Sequence, residues 1–224
     1  MKKFVAILLT ALMVISLVAC GEKNEPVEER ISEPENEENA SEITVENEQA
    51  VDEAGDESMN EEEEMKILVA YFSATNTTEG VAEKIAEGLS ADIYEIVPEQ
   101  PYTDDDLNYH DNNSRSTIEM NDSSARPVIS GSVEDMDQYD IVFIGYPIWW
   151  GEAPRIVDTF VESYDFSGKV IVPFCTSGGS GVGSSATNLE QLTSGAQWLD
   201  GQRLNGSDSQ ETVMEWVNSL GLNL

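Results

Sequence analysis

From residue 65 onward, short apolar runs alternate with longer stretches in which apolar residues recur every three or four positions. Met65–Phe72 is nearly continuous in apolar residues, the signature of a strand buried on both faces. Val81, Ala82, Ile85, Ala86 and Leu89 then follow at helical spacing. Asp92–Val97 alternates in polarity, which suits an edge or half-covered strand. Ile141–Pro147 and Val170–Cys175 are further buried-strand runs. Between them Ile156, Val157, Phe160, Val161 and Tyr164 trace a helix. Pro154 opens that helix, because a missing N–H costs nothing in the first turn. Leu189 and Leu192 mark a fourth helix, and Ala196–Leu199 a short fifth strand. Val213, Trp216, Val217 and Leu220 mark the last helix, with Asp208 and Glu211 spaced as a capping box before it. The polar stretch from Pro98 to Ser130 carries the least pattern; its Thr117–Met120 segment fits a second helix.

Strands and helices that alternate in this way predict an α/β fold, a doubly wound parallel sheet covered by helices on both faces as a three-layer α/β/α sandwich. Such sheets take ligands just beyond the carboxyl ends of their strands. The segments that follow the first, third and fourth strands are therefore the places to look for chemistry.

The first 64 residues follow a different pattern. Residues 1–20 hold Lys2 and Lys3, then an uncharged, largely apolar run from Phe4 to Ala19, then Cys20. The run is shorter than the roughly 18–20 residues of a lasting membrane span and fits an export signal. Leu17-Val18-Ala19-Cys20 resembles a bacterial lipobox, which implies cleavage before Cys20 and attachment of a diacylglyceryl group to its sulfur; the alternative is an ordinary signal peptide cut nearby. Residues 21–64 contain 19 acidic residues, two basic ones and no aromatics. Such a stretch cannot bury enough apolar surface to offset its ordering entropy, and is expected to serve as a disordered, self-repelling acidic linker. The expected location is the extracytoplasmic face of a bacterial cell membrane, held there through the lipid anchor only.

Residues 65–224 make one domain-sized unit. With 25 acidic and seven basic residues, its field disfavours nucleic acid and anionic lipid, which are bound through Lys/Arg clusters. Cys175 has only Cys20 as a possible partner, so no disulfide framework is available. A single histidine, His110, and no Cys/His cluster give no ground for a transition-metal site.

Three segments carry the candidate chemistry. Ser73-Ala74-Thr75-Asn76-Thr77-Thr78 follows the first strand and runs directly into a helix. Its four hydroxyls and its backbone N–H groups at a helix N-terminus suit an anion. No lysine is present, so this is not a phosphoryl-transfer loop; neutral donors suit the phosphate of a bound cofactor. A turn that merely caps the helix is the plainer alternative. Pro147-Ile148-Trp149-Trp150-Gly151 follows the third strand. Two adjacent tryptophans cannot both enter one core, so one presents a broad face on which a planar ring can stack. Thr176-Ser177-Gly178-Gly179-Ser180-Gly181-Val182-Gly183 follows the fourth strand. Its glycines leave the backbone free to turn N–H groups toward a ligand edge.

Taken in this order, the three segments resemble those of the flavodoxin family, and most of all the flavodoxin-like branch with a Tyr/Phe-Pro-x-Trp-Trp signature. The residues that carry the resemblance are Gly145–Gly151 with Ala153-Pro154-Arg155, Tyr164–Lys169 and Pro173–Ser180, and it extends over nearly all of residues 65–224. It implies a five-stranded sheet in 2-1-3-4-5 order with non-covalent FMN at the strand tips. Ser73, Thr75, Asn76, Thr77 and Thr78 would hold the phosphate. Pro147, Ile148, Trp149, Trp150 and Gly151 would flank the ring, with Trp150 stacking on it. Thr176, Ser177, Gly178, Gly179 and Ser180 would line its polar edge. The Pro98–Ser130 stretch is longer and more polar than that family leads one to expect.

The expected function is electron transfer through FMN, exchanged with a redox partner protein or a small oxidant, neither of which the sequence identifies. Fully reduced flavin tends to carry a negative charge, and a domain that supplies no Lys or Arg near the ring disfavours it. This predicts a low potential for the second electron and hence one-electron shuttling. The rival enzyme reading is an NAD(P)H-dependent FMN oxidoreductase acting on quinones or nitro compounds. A flavin-free surface binding lipoprotein is the third class. His110 reads as a surface residue and Cys175 as an inert packed thiol.

Overall fold

The computed structural model describes residues 65–222, so the export signal, Cys20 and the acidic linker lie outside the described residues. In chain order the elements are β1 (Ile67–Tyr71), α1 (Thr77–Leu89), β2 (Asp92–Glu95), β3 (Val97–Pro98), α2 (Arg115–Asn121), β4 (Ile129–Ser130), β5 (Ile141–Pro147), α3 (Arg155–Glu162), β6 (Val170–Thr176), α4 (Ser185–Glu190), β7 (Gln197–Trp198), β8 (Gln202–Arg203) and α5 (Gln210–Ser219).

The alternation of side chains along each strand divides the core in two. Leu68, Ala70 and Phe72 of the first strand and its exit pack with Val142, Ile144 and Tyr146 of β5 against α3 residues Ile156, Val157 and Phe160. Val69 and Tyr71 point the other way and join Ile141, Phe143, Val172 and Phe174 beneath α1 and α5. Because both faces are buried, nearly every position in these strands is apolar, which is why they read as continuous runs. In the main sheet all pairings are parallel, in the order β2-β1-β5-β6-β7, with β8 also on β6.

This is the predicted doubly wound order with one correction. The single fifth strand is two short pieces, β7 opposite Val170 and Ile171, and β8 opposite Phe174 and Cys175. The break falls beside Pro173, whose nitrogen has no hydrogen for a ladder bond. Gly201, in the intervening turn, approaches the proline so closely that a Cβ there would lie 3.0 Å from its Cγ.

The Pro98–Ser130 stretch also has more order than its composition predicts. Beyond β2 the chain pairs antiparallel with β4, Val97 opposite Ser130. Local bonds then brace the loop: Asp106 accepts from the N–H and hydroxyl of Thr103 (2.9 and 2.7 Å), and Asn113 N–H donates to Asp111 (2.9 Å). Those donors hold the exposed Asp106 carboxyl below the usual range. Ser114 caps α2. At the last helix the cap is Ser209, which accepts from Thr212 N–H at 3.2 Å, and not Asp208. Asp208 turns back to accept from Asn205 N–H at 2.7 Å, closing the preceding loop instead.

Candidate functional site

At the carboxyl ends of β1, β5 and β6 the chain encloses a cavity of about 530 Å³. Its walls include Thr75, Thr77 and Thr78 from the first segment, Pro147, Ile148 and Trp149 from the second, and Thr176, Ser177 and Gly178 from the third. Residues far apart in sequence are therefore brought to one place. Two bonds join them: the buried hydroxyls of Thr78 and Thr176 meet at 2.8 Å, and Ile148 N–H donates to Thr176 O at 2.9 Å.

The segment that leads into α1 is built from neutral donors. Asn76 sits at the N-cap of α1 with φ +60, a left-handed geometry that asparagine tolerates, and its side chain makes no cap bond. The first helical bond is made by Gly80 N–H to Asn76 O, so the N–H groups before it have no intrahelical acceptor. Ser73 Oγ is buried and has no hydrogen-bond partner. Thr75, Thr77 and Thr78 line the cavity, whereas Ser73 and Asn76 lie in the same segment but are not on its wall; a phosphate would complete an orphaned hydroxyl and free helix-start N–H groups if it reached them. Among the described residues, none that lines this cavity or the one beside it is charged.

The two tryptophans divide as expected. Trp149 is half-buried and held edge-on by Phe72 (ring centroids 5.6 Å apart) and Tyr102 (5.3 Å). Tyr102 is itself covered by Arg115, whose guanidinium lies 4.0 Å above its ring. Trp150 is 48% exposed and lines the adjoining aromatic cavity of about 350 Å³ with Trp149, Ile148, Leu107, Tyr109 and Ser116. Trp149–Glu152 is a tight turn closed by reciprocal backbone bonds of 2.9 Å. Trp150 has φ +50 and Gly151 φ +86. Glycine takes that geometry freely, whereas a tryptophan there stores strain on the order of 1–3 kcal/mol.

The remaining predicted residues are placed less centrally. Gly179 and Ser180 lie in the exposed glycine-rich loop and are not on the cavity wall. Gly151 serves the turn itself. His110 is exposed, with its ring 4.4 Å from that of Tyr109. Cys175 is fully buried, and desolvation pushes its thiol up to about 11, only slightly opposed by Arg203.

Two wall segments were not read from the sequence. Leu107 and Tyr109 enter from the loop before α2, and Leu204, Asn205 and Gly206 enter from the turn after β8. Gly206 packs so tightly against the first segment that a Cβ would meet Thr77 Cγ2 at 2.9 Å. A lone exposed aromatic (Tyr109 is 67% exposed) in a polar loop was the available signal for the first; the second had none.

Fold and site together define an α/β protein with an uncharged, threonine-lined cavity, an aromatic wall and a glycine-rich loop gathered at the tips of a doubly wound sheet. A family model described as flavodoxin matches residues 66–220, and the chain belongs to the flavodoxin family. Among solved structures it is similar to a protein described as a flavoprotein from Bacteroides eggerthii, with 46% identity over 71% of this chain and 100% of that one, and a TM-score of 0.68. A second, from Bacteroides uniformis, shares 45% identity over 69% of this chain and 98% of that one, with a TM-score of 0.66. A flavoprotein from Lactobacillus acidophilus in complex with FMN has the same fold at 20% identity, covering 71% of this chain and 100% of that one, with a TM-score of 0.54. Among curated proteins none matches.

Proposed function

We propose that this domain binds FMN non-covalently and passes single electrons between partners at the outer face of a bacterial membrane, tethered through a lipid on Cys20. The observation that carries the cofactor reading is the start of α1: Thr75, Thr77 and Thr78 line the cavity with no cation among its lining residues, and just before them Ser73 Oγ is buried without a partner. Ser73, Thr75, Asn76, Thr77 and Thr78 bind the phosphate. Trp149 and Trp150, with Pro147, Ile148 and Gly151, flank the ring and keep water from it, and the Thr176–Ser180 segment meets its polar edge. When bound, FMN supplies one- and two-electron redox chemistry. The uncharged walls offer no countercharge to a reduced ring, which favours low-potential, one-electron exchange.

The aromatic cavity beside Trp150 favours a second reading, in which an NAD(P)H-dependent oxidoreductase seats a planar acceptor such as a quinone there. One experiment separates the readings. The purified protein is mixed with FMN, followed by absorbance and flavin fluorescence, then given NADH or NADPH. Uptake with slow bleaching supports the carrier; fast bleaching without a partner protein supports the enzyme. A protein that stays colourless in excess FMN is a flavin-free binding lipoprotein. Mass spectrometry of the membrane-extracted protein tests the anchor, which predicts a lipid-modified Cys20 at the mature N-terminus.

A further inference from the structure

The two loops proposed to flank the flavin ring have very different internal support. The Trp149–Glu152 turn is closed by its own backbone bonds. The loop from Ser177 to Gly183 has little of its own: Ser177 Oγ meets Ser180 O and Gly179 N–H, and Cβ atoms added at Gly178, Gly179 or Gly181 would touch nothing within 4 Å. Its course is therefore set by its ends. Thr176 fixes the start through Thr78. The end is fixed where the chain enters α4, and there the holding group is Glu152.

Both oxygens of the Glu152 carboxylate are used. Oε1 accepts from Ser184 Oγ at 3.0 Å and Oε2 from Asn188 Nδ2 at 2.7 Å. One residue on, Ser185 Oγ bonds Tyr146 OH at 3.0 Å and donates to Val182 O at 2.6 Å. The start of α4 is thus fastened to both sides of the tryptophan turn, at Tyr146 before it and Glu152 after it. The two loops approach each other there: a Cβ on Gly183 would lie 3.9 Å from Gly151 O. Glu152 itself faces a separate polar cavity with Arg155, Asp158 and Asn188, and does not line either cavity of the proposed flavin site.

We propose that Glu152 is a positioning residue: its carboxylate clamps the strained Trp150 turn to the end of the glycine-rich loop and so sets the spacing of the slot between them. This rests on the FMN reading for its effect on a ligand, but the clamp itself is a property of the protein alone. A carboxylate is the fitting group because it accepts only, and its two neighbours here are a hydroxyl and an amide NH₂. The bonds are charge-assisted, a stronger class than bonds between neutral groups. Glutamine can keep the geometry without the charge, its oxygen accepting from Asn188 and its amide donating to Ser184. Alanine cannot.

The test uses Glu152→Ala, Glu152→Gln, Asn188→Asp and the double variant Glu152→Gln/Asn188→Asp, each checked for native far-ultraviolet circular dichroism. FMN affinity and the visible circular dichroism of the bound flavin are measured for each. Glu152→Ala and Asn188→Asp are expected to weaken FMN about tenfold and alter the visible signal, since one removes the clamp and the other sets two carboxylates against each other. Glu152→Gln stays within about threefold of the native protein, and the double variant recovers most of what Asn188→Asp loses, because donor and acceptor have exchanged places. In parallel, NMR of the FMN-free protein labelled with fluorotryptophan follows the Trp150 signal, assigned with Trp150→Phe. It shifts or broadens in Glu152→Ala and not in Glu152→Gln. An unchanged Trp150 signal in Glu152→Ala, or a double variant as impaired as Asn188→Asp, overturns the clamp. If the native protein takes up no FMN while Trp150 still responds, the FMN reading fails and the clamp stands.

Discussion

The bond between Thr78 and Thr176 joins the start of α1 to the end of β6, and its worth can be worked from the structure. Both residues are buried, at 1% and 3% exposure, and their hydroxyls lie 2.8 Å apart. Thr78→Val keeps the shape of the side chain but strands the Thr176 hydroxyl in a dry place. The cost is the net bond, about 1 kcal/mol, together with the desolvation of the abandoned group, about 1–3 kcal/mol. We expect a loss of about 2 kcal/mol for Thr78→Val and a similar loss for Thr176→Val. In a domain of this size that is a fall in Tm of roughly 4–8 °C. The double variant removes both the bond and the demand for it, so it should lie within about 1 kcal/mol of the native protein. The measurement is urea unfolding of the FMN-free protein, with a double-mutant cycle across the four forms. If the double variant equals the sum of two large single losses, the hydroxyls are not each other's partner. Neutral single variants would show that water satisfies the group left behind, and the reasoning from burial would fail.

Three further predictions follow from the same geometry. Ser73→Ala removes a hydroxyl that has no partner, so stability should change by no more than about 0.5 kcal/mol. FMN affinity measured by fluorescence quenching should nonetheless fall at least about tenfold, as for the loss of a bond to a charged group; equal affinity would remove Ser73 from the proposed phosphate site. Gly206→Ala forces a Cβ against Thr77 Cγ2 at 2.9 Å, and displacing a χ1-restricted threonine costs about 0.5–1.5 kcal/mol, read as a fewfold weaker FMN titration; an unchanged titration would show that the contact relaxes without cost. Alkali should destabilise the domain before it affects a typical exposed surface. Burial pushes the Cys175 thiol from 9.0 up to about 11. Burial, with help from the Asp92 carboxylate, pushes the Tyr139 phenol from 10.0 up to about 12. Both groups ionise more readily unfolded, so the stability they contribute is complete below pH 9 and is lost as pH rises from about 9 to 12. A urea midpoint that stays flat between pH 8 and 11 would contradict this.

How far the fold could be read in advance depended on where each residue's constraint comes from. Strands β1, β5 and β6 are buried on both faces, so burial alone dictates their composition and the apolar runs declare them. The pairing of Val97–Pro98 with Ile129–Ser130 answers to no such periodicity, because it is a contact of two short segments across a long polar excursion. The last strand was placed but not its break, since what interrupts it is Pro173 on the neighbouring strand. At the amino end of α5, Asp208 and Ser209 are both good caps by type; only the loop closed on Asn205 decides between them. The site divides in the same way. Segments that leave strand tips could be located from the fold rule, and they do converge. Tyr109 and Gly206 reach the cavity through loop paths that the rule does not cover.

The parallel sheet has a consequence for how the chain comes into being. The Lys66 N–H that closes the start of β1 against Asp140 spans 74 residues, and β1 has no nearer partner except the exposed edge strand β2. At synthesis rates of about 5–20 residues per second, β1 waits roughly 4–15 s for β5 to emerge. Throughout that interval an apolar, β-prone run is available to other chains. Glu61–Glu64 stand immediately before it. A block of charge next to an unavoidable hydrophobic strand can act as a gatekeeper against aggregation, so the end of the acidic stretch is expected to protect the domain during its birth, separately from any role as a tether.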